Sequence, residues 1–416
     1  MYSRLNDFIT KHNILSDQQY GFRANRTTSL ALMEFVEEIT SAIENKEYAI
    51  GIFLDLKKAF DTVDHDLLLK KMHMYGVRVV ALSWFGSYLE NRHQYVQMNN
   101  NFKSQLQKVS CGVPQGSVLG PMLFILYINS ICKVSKLLKR IVFADDTNLL
   151  CCGNNLEQLM ATVEMEFKKL KRWFDYNKLT LNLNKTKCII FGNRPINSNK
   201  KLMINNVVIE RVSEIKFLGI IIDNKLCWKP HINYIKTKIS KSIAVLHKVK
   251  DFLNQVSLYT LYCSFILPYI SYCVEVWGNT YNTNTKPIFI LQKRAIRIVN
   301  KTTYRETTNP LFSKLKALKF NDLVDFKTVQ IMYKAKNKLL PSTIQELFQF
   351  KENHYSLRGN DIFKKQLVRT NTKYHCITVK GVTLWNNCNK ELKTCTSLNK
   401  FKRMFKDNIL NGYRME

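Results

Sequence analysis

Glycine and proline are scarce in this sequence, with 14 Gly and 8 Pro among 416 residues. These counts are about 3% and 2% of the chain against the usual ~7% and ~5%, which excludes collagen-like, linker-like and loop-dominated architectures. No apolar segment opens the chain, because its first residues, MYSRLNDFITKHN, are interrupted by charges. We therefore expect no signal peptide.

Long hydrophobic runs are also few. The most apolar stretch, Leu258 to Trp277, approaches the length of a membrane span but contains Pro268, Glu275 and several hydroxyl groups. These groups favour a buried helix or a pair of elements over a transmembrane helix, so we expect no membrane partner. Trp277 and Trp385 are interpreted as core anchors in preference to base-stacking platforms.

The cysteines show no disulfide framework. The sequence holds 11 of them at irregular spacings, including the adjacent Cys151 and Cys152. This usage is typical of reduced thiols in an intracellular protein. A C-terminal group lacks the tight spacing of a zinc knuckle and is interpreted as unliganded. Its members are Cys376, Cys388 and Cys395, with His354 and His375 nearby.

Acidic residues are few, since 63 Lys and Arg stand against 32 Asp and Glu, a formal net charge of +31. Such self-repulsion destabilises a compact body unless a polyanion is near. Nucleic acid is therefore the expected partner, and a ribosome-like or merely soluble basic protein is the alternative. The hydrophobic fraction of 46% excludes wholesale disorder and suits a folded chain of two to three domains.

Helix and strand patterns alternate over the first 223 residues. Apolar residues at 32, 36, 39 and 43 predict an amphipathic helix, and YAIGIFLD (48–55) predicts a buried strand that ends in a carboxylate. Asp64 is expected to cap a helix that runs to Met74. The other predicted elements are a buried helix after the turn CGVPQGS (111–117), a hairpin RIVFADDTNLLCC (140–152) with its acids at the tip, a helix from 156 to about 177, and strands at 187–191, 201–209 and 214–222. Together they indicate an α+β domain ending near residue 223.

Basic helices are expected after this domain. The helix from Lys229 to Lys250 has an apolar isoleucine face and no acidic residue. Its lysines are Lys229, Lys236, Lys238, Lys241, Lys248 and Lys250. Such a helix offers a cationic side to a phosphate backbone, and a solvated basic face is an equal alternative. Residues 255–350 look helical too, with a second basic cluster at Lys293, Arg294, Arg297, Lys301 and Arg305.

Three acids occupy positions where a carboxylate is costly. Asp55 ends an apolar strand, and Asp145 and Asp146 lie at the tip of an apolar hairpin. If the strand and hairpin are neighbours, Asp55 and Asp145 converge on one face. Carboxylates without a nearby His or Cys suit hard ions such as Mg²⁺, and a pair of these ions promotes attack of a hydroxyl on a phosphate. Taken alone, Asp145 and Asp146 are also ordinary turn residues.

Several segments resemble, in order, the motifs of reverse transcriptases. FLDLKKAFDTVDH (53–65), GVPQGSVLGPMLFILYIN (112–129) and FADDT (143–147) are similar to motifs A, B and C, and QYGFRANRTTSLAL (19–32) to the block that precedes them in LINE-type, non-LTR retrotransposons. WFDYNKLTLNLNKTK (173–187) and FLGIIID (217–223) resemble motifs D and E. The C-terminal segments YISYCVEVWG, LQKRAIRIV and GVTLWNNCNKEL resemble the jockey-like and chicken-repeat-like clades.

The resemblance implies a right-hand polymerase. Partial fingers and an antiparallel-sheet palm would occupy residues 1–223, a helical thumb 224–305, and a mainly helical C-terminal region of unknown role 306–416. Its substrates would be deoxynucleotides, an RNA template and a DNA primer or target DNA. The protein would be intracellular, in the nucleus and cytoplasm. An upstream Arg-Pro-Ile block of the fingers and an endonuclease domain are missing before Gln19. We therefore expect a truncated copy with weak or undetectable polymerisation.

The resemblance also implies individual roles. Asp55 and Asp145 would hold two Mg²⁺ ions, with Mn²⁺ as a substitute, and Asp146 would complete the cluster. Phe60 would be a steric gate against the ribose 2′-hydroxyl. Leu56, Gln115 and Gly116 would contact the nucleotide, and Arg23 would contact nucleotide or template unless it is a surface arginine. Lys185, or its competitor Lys187, would act on the leaving pyrophosphate. The primer grip would be Phe217, Leu218 and Gly219, and the duplex backbone would be bound by Lys229, Lys236, Lys238 and Lys241.

Two other functions remain alternatives. An RNA-dependent RNA polymerase shares the palm acids, but Phe60 disfavours it because a bulky ring excludes the ribose hydroxyl. A decayed copy would persist at most as a basic RNA-binding protein. Loss of an acid at 55, 145 or 146 would favour that interpretation, and all three acids are present.

Overall fold

The computed structural model of the chain describes residues 1–98, 102–194, 201–204, 207–351 and 363–415. The chain divides into two compact units that alternate along the sequence. Unit 1 comprises Met1–Thr27, Tyr48–Ile190 and Arg194–Val212; unit 2 comprises Thr28–Glu47, Phe191–Asn193 and Ser213–Glu416. The three-part functional division at residues 223 and 305 stays a prediction.

The helices and strands are as follows, in chain order. The helices are α1 (Tyr2–Lys11), α2 (Thr28–Glu44), α3 (His65–Met74), α4 (Val79–Leu89), α5 (Gly120–Ile128), α6 (Leu156–Tyr176), α7 (Lys229–Val249), α8 (Gln255–Phe265), α9 (Leu267–Ser271), α10 (Val274–Trp277), α11 (Asn282–Val299), α12 (Asn309–Lys314), α13 (Phe320–Lys336), α14 (Ser342–Gln345), α15 (Asn371–Tyr374), α16 (Val382–Asn386), α17 (Lys390–Lys393) and α18 (Leu398–Met415). The strands are β1 (Tyr48–Leu54), β2 (His93–Gln94), β3 (Gln97–Met98), β4 (Phe102–Lys103), β5 (Gln107–Lys108), β6 (Lys139–Phe143), β7 (Asp146–Gly153), β8 (Lys187–Phe191), β9 (Met203–Ile204), β10 (Val207–Val208), β11 (Glu210–Arg211), β12 (Glu214–Phe217) and β13 (Ile220–Asp223).

Unit 1 is built on a five-stranded sheet in the order β11-β8-β1-β7-β6. Strand β1 pairs antiparallel with β7, and β7 pairs antiparallel with β6, whereas β11 runs parallel to β8. The apolar run of β1 is buried on both faces, as its composition predicts. The sequence prediction of a β6–β7 hairpin beside this strand is therefore confirmed.

The helices of unit 1 follow the predicted Asp64 cap and the predicted apolar faces, and α6 has a further cap at Asn155. The Asp64 carboxylate accepts from the N–H of Leu67 at 2.9 Å and starts α3. The Asn155 side chain accepts from two N–H groups of the first turn of α6, whose apolar face is buried. Helix α5 is apolar and buried on all sides, and it lies in the core with α6 and β1. The strand predicted over 201–209 is instead the short pair β9–β10, whose connecting residues lie outside the described part.

Unit 2 is mainly helical. Helix α2, predicted as amphipathic, is buried nearly all round, since 12 of its 17 residues are buried, including Glu37. The Glu37 carboxylate forms a buried ion pair with Lys373 at 2.6 Å, and Thr378 donates to it through both its N–H and its hydroxyl. The helix thus has a polar partner on the side where the sequence pattern predicts solvent.

The apolar stretch from Leu258 to Trp277, predicted as a buried helix or a pair of elements, is divided among α8, α9 and α10 of unit 2. Trp277 and Trp385 are both fully buried, in agreement with their interpretation as core residues. No helix within the described residues is both long enough and apolar enough to cross a bilayer. His354, one of the two histidines near the C-terminal cysteines, lies outside the described residues.

Candidate active site

The three acids meet at one end of the sheet in unit 1. Leu54 pairs with Thr147, so the next residue on each strand, Asp55 on one and Asp146 on the other, is a carboxylate. Phe143 pairs with Asp146, which leaves Ala144 and Asp145 as a two-residue turn. The register therefore sets Asp55 opposite Asp146, with Asp145 next to this pair in the turn.

The electrostatics of this end are unfavourable to full ionisation. Partial loss of hydration, at a side chain that still reaches solvent, and then the negative charges of Asp145 and Asp55 raise the pKa of Asp146 to about 6. Asp55 is half-buried, whereas Asp145 and Asp146 remain exposed. Oxygen-only ligands with excess negative charge fit a hard divalent cation. Within the described residues, however, no three His, Cys, Asp or Glu side chains are placed to hold a metal ion as they stand.

Asn182 holds Asp55 in place. Its side-chain amide donates to Asp55 Oδ2 at 2.9 Å, and its backbone N–H donates to the Asp55 carbonyl at 2.8 Å. The same loop continues the pairing, since the N–H of Lys57 donates to the carbonyl of Thr180. Leu56 lies in a bridge with Leu181 of this loop. The Asp55 carboxylate is thus oriented by a segment that follows it by more than a hundred residues.

The residues after Asp55 are joined to the glycine-rich turn before α5. The N–H of Gly112 donates to Val63 O at 2.7 Å, and the N–H of Val113 donates to Phe60 O at 2.9 Å. Gly112 has a φ of +90°, and a Cβ there would lie 2.8 Å from Asp61 O, so only glycine fits. The side-chain amide of Gln115 donates to Asp61 Oδ1 at 2.8 Å. Gln115, the predicted nucleotide contact, is thereby oriented by Asp61.

Phe60 has the surroundings of a fixed ring. It is half-buried and stacks on Phe124, with ring centroids 4.3 Å apart, and Phe22 meets it edge-on at 6.4 Å.

Gly116 is exposed with a φ of +79°, and nothing lies within 4 Å of the position of a Cβ. The backbone beside Gln115 is therefore open to a ligand.

Arg23 is engaged within unit 1. Its guanidinium donates to Ser16 O at 2.6 Å and to Gln19 O at 3.3 Å. Burial, and then the charge of Arg26, lowers the pKa of Arg23 to about 10. The structure therefore ties the predicted nucleotide or template contact to the segment that pairs alongside β6.

The two candidate lysines of the motif D segment differ in their surroundings. Lys185 is exposed, and its backbone N–H donates at 3.1 Å to the carbonyl of Asn182, the residue that holds Asp55. Lys187 lies in β8, where its ammonium pairs with Glu210. Of the two, Lys185 is the one whose loop contacts the acidic cluster.

A model of the family "Reverse transcriptase (RNA-dependent DNA polymerase)" matches residues 1–222. The chain belongs to the reverse transcriptase family. The chain is similar to the RNA-directed DNA polymerase of transposon BS from Drosophila melanogaster, at 29% identity over 73% of this chain and 34% of that protein. It is likewise similar to the RNA-directed DNA polymerase from mobile element jockey of the same species, at 29% identity over 73% of this chain and 34% of that protein. These relatives confirm the predicted resemblance to LINE-type reverse transcriptases, and the chain spans about a third of their length.

Among solved structures, apo telomerase from Candida tropicalis is similar with a TM-score of 0.40 and 13% identity, over 83% of this chain and 59% of that chain. This likeness is too weak to add to the family match. Reverse transcriptases use divalent metal ions, which agrees with the donor types at the acidic end of the sheet. The N-terminal truncation stays a prediction.

In unit 2 of the chain, the predicted primer grip is a hairpin turn. Phe217 pairs with Ile220, so Leu218 and Gly219 form a two-residue turn with φ values of +44° and +83°. Phe217 is buried against Phe35, with ring centroids 5.5 Å apart. The hydroxyl of Tyr272 donates to Leu218 O at 2.8 Å. The turn is therefore held by Phe35 and Tyr272, and Gly219 at its tip is exposed.

The basic helix α7 follows this hairpin through an ordered loop. The Asp223 carboxylate accepts from the N–H groups of Lys225, Cys227 and Trp228 at 2.8–3.1 Å. Burial lowers the pKa of His231 to about 4, so its neutral ring accepts from the N–H of Ile221. The predicted phosphate-binding lysines Lys229, Lys236 and Lys241 are exposed, and Lys238 is half-buried.

Two contributors to the site were missed by sequence reasoning. Asn182 lies inside the segment that resembles motif D, and Asp61 lies inside motif A. Their positions in these blocks were a usable signal, but their partners, Asp55 and Gln115, are distant in the chain. Only the pairing of the segments in space shows which polar groups meet.

Proposed function

We propose that this chain carries the RNA-directed DNA polymerase activity of a non-LTR retrotransposon, adding deoxynucleotides to a primer 3′-hydroxyl. The observation that supports it best is the strand register that sets Asp55 beside Asp146 and next to Asp145. The raised pKa of Asp146 adds to this support, because it indicates a site that lacks compensating positive charge.

Asp55, Asp145 and Asp146 would hold two Mg²⁺ ions, and Mn²⁺ would substitute for them. When bound, the ions activate the primer hydroxyl and stabilise the charge that develops on the phosphates. The carboxylates supply negative charge and hard oxygen ligands, and Asn182 keeps Asp55 directed toward the site. Lys185 would deliver a proton to the leaving pyrophosphate from its exposed loop.

Selection of the incoming deoxynucleotide would follow from shape. Phe60, fixed by its stack on Phe124, would occupy the space that a ribose 2′-hydroxyl needs. Gln115, oriented by its hydrogen bond to Asp61, would contact the nucleotide. Leu56 and Gly116 would contact the nucleotide through their backbone groups. Arg23 would contribute mainly through the backbone that it holds.

The template and primer would be bound by positive charge and by the β12–β13 hairpin turn. Phe217, Leu218 and Gly219 would form the primer grip, and the exposed lysines of α7 would follow the phosphate backbone without reading sequence. The partners would be an RNA template, a DNA primer or target DNA, and deoxynucleotides. In a full-length element an upstream endonuclease would nick the target, inside the nucleus, after synthesis of the protein in the cytoplasm.

A primer-extension assay tests the proposal. The full chain is given an RNA template, an annealed DNA primer, Mg²⁺ and deoxynucleotides, and is compared with Asp145→Ala and with Lys168→Ala, an exposed lysine on α6. We expect weak extension that Asp145→Ala abolishes and Lys168→Ala preserves. Extension that survives Asp145→Ala would contradict the proposal.

Ribonucleotides separate this activity from an RNA-dependent RNA polymerase. Wild-type protein should prefer deoxynucleotides, and Phe60→Ala should relax the preference by at least about tenfold, whereas Phe60→Tyr should keep it. A wild-type preference for ribonucleotides would favour the RNA polymerase instead. Salt-sensitive RNA binding without any incorporation would favour the second candidate, a basic RNA-binding protein, which the net charge of +31 supports.

A further inference from the structure

The turn that carries Asp145 has an unusual backbone. Ala144 and Asp145 form the whole loop between β6 and β7. Ala144 has a φ of +56°, in the left-handed region that residues other than glycine rarely adopt. A side-chain-bearing residue stays in this region where its surroundings fix it.

Gln19 supplies the contact that fixes Ala144. Its Oε1 accepts from the N–H of Ala144 at 3.1 Å and from the N–H of Gly21 at 2.8 Å. Gln19 is 1% exposed, so no water replaces this oxygen if it is removed. One side-chain oxygen thus joins the acidic turn to the segment 18–21.

The segment 18–21 is shaped to bring that oxygen to the turn. The N–H of Tyr20 donates to Val142 O at 2.7 Å, and the N–H of Val142 donates to Gln18 O at 2.9 Å, so the segment pairs parallel with β6. A Cβ on Gly21 would lie 2.4 Å from the nitrogen of Ala144, which only the absence of a side chain allows.

We propose that Gln19 is a positioning residue for the acidic turn. It contacts neither Asp145 nor Asp146 through these bonds; it fixes the backbone at Ala144 and so the direction in which Asp145 leaves the turn. This role rests on the proposed function, because that function gives Asp145 its chemistry. Residues 19–21, the QYG portion of the first motif block, therefore position the turn that carries the carboxylates. This role accounts for Gln19 without a contact to template or nucleotide.

Hydrogen exchange tests the bond directly. Gln19→Met removes the acceptor at nearly constant volume. Gln18→Met is the matched control, because it also removes a side-chain acceptor that contacts β6: Gln18 Oε1 accepts from Arg140 Nε at 2.9 Å. We expect the Ala144 amide to exchange about tenfold faster in Gln19→Met, which corresponds to the loss of one buried hydrogen bond, and at the wild-type rate in Gln18→Met. Unchanged exchange in Gln19→Met, or equal acceleration in the control, would overturn the inference.

A conservative variant covers the case in which Gln19→Met fails to fold. Gln19→Glu keeps an oxygen at the same place, so its Ala144 amide should exchange slowly, and fast exchange there would overturn the proposed bond. Mn²⁺ titration gives the link to function: Gln19→Met should bind Mn²⁺ about tenfold more weakly, with kcat lowered and the KM for deoxynucleotide unchanged.

These outcomes are distinguishable from failure of the proposed function. Wild-type protein that binds no Mn²⁺ and extends no primer would contradict the polymerase proposal, while the exchange result would still decide whether Gln19 holds the turn. Active protein in which Gln19→Met retains wild-type Mn²⁺ affinity would overturn the positioning role alone.

Discussion

Asn182 and Asp55 are joined by two hydrogen bonds, one from the side chain and one from the backbone of Asn182, at 2.9 and 2.8 Å. The first fixes one oxygen of the carboxylate, and the second fixes the strand end that carries it. The loop that contains Lys185 is therefore attached to the acid at the centre of the proposed site, and displacement of this loop would move Asp55 with it.

Replacement of Asn182 should weaken the site without unfolding unit 1. Asn182→Ala removes the side-chain bond and leaves the backbone bond, so we expect Mn²⁺ affinity or primer-extension rate to fall about 10- to 100-fold. Isothermal titration and single-turnover extension measure the two quantities. Asn184→Ala, at an exposed position two residues away, is the control. Equal effects of the two substitutions would show that the Asn182 bond is unimportant.

Asp146 should make stability depend on pH in a defined direction. Its folded-state pKa of about 6 lies above the reference value of 3.8, so the folded state disfavours the charged form. The stabilisation that protonation gives is complete below the reference pKa and is lost as pH rises through the folded value. With EDTA present, Asp146→Asn should therefore melt above wild type at pH 7.5, and the difference in Tm should disappear near pH 4.

Mn²⁺ provides a second measurement on the same pair of proteins. At pH 7.5 the ion should raise the Tm of wild type more than that of Asp146→Asn, because the variant has one carboxylate fewer. A wild type that is more stable than Asp146→Asn at pH 7.5 without metal would contradict the predicted repulsion among the three acids.

The exposed lysines of α7 should set the salt dependence of nucleic-acid binding. Removing two phosphate contacts with Lys236→Ala and Lys241→Ala should reduce the slope of log K against log salt by about 1.4 to 1.8. Fluorescence anisotropy with an RNA–DNA hybrid over a range of KCl concentrations measures this slope. A control double variant, Lys70→Ala with Lys168→Ala on exposed positions of α3 and α6, removes the same charge. Equal slopes for the two double variants would contradict a localised duplex site on α7.

The buried pair of Glu37 and Lys373 should be costly to break from one side. Lys373→Met leaves the carboxylate of Glu37 buried without its cation, so we expect a loss of about 3–5 kcal/mol in unfolding free energy. The double variant Glu37→Gln with Lys373→Met leaves no charge buried at this site and should recover most of that loss. Urea unfolding followed by circular dichroism measures both. A Lys373→Met protein of wild-type stability would show that the pair contributes little.

The sequence was sufficient for the elements that its local pattern encodes. The two apolar runs that flank Ala-Asp-Asp-Thr-Asn predict the β6–β7 hairpin, and β1 is predicted by an apolar run that ends at Asp55. The cap predicted at Asp64 is also present. These features depend on neighbours within a few residues.

The contacts between segments that are distant in the chain could not be predicted from the sequence. The apolar face of α2 was visible, but not that its polar side is buried by Lys373, 336 positions away. Gln115 was identified by its motif, whereas its bond to Asp61 depends on how two loops pack. Periodicity shows which side of an element is apolar, and it is silent on which distant segment covers the other side.

The alternation of the two units along the chain has a consequence for biosynthesis. Helix α2 is translated well before its partners, since Lys373 and Thr378, which neutralise and hydrogen-bond its Glu37, are translated more than three hundred codons later. Until then the Glu37 carboxylate of this largely apolar helix has no cation beside it, and such delayed long-range closure makes nascent chains slow to mature and prone to aggregate. Ribosomes that stall before codon 373 should therefore leave products for chaperones and proteases to handle.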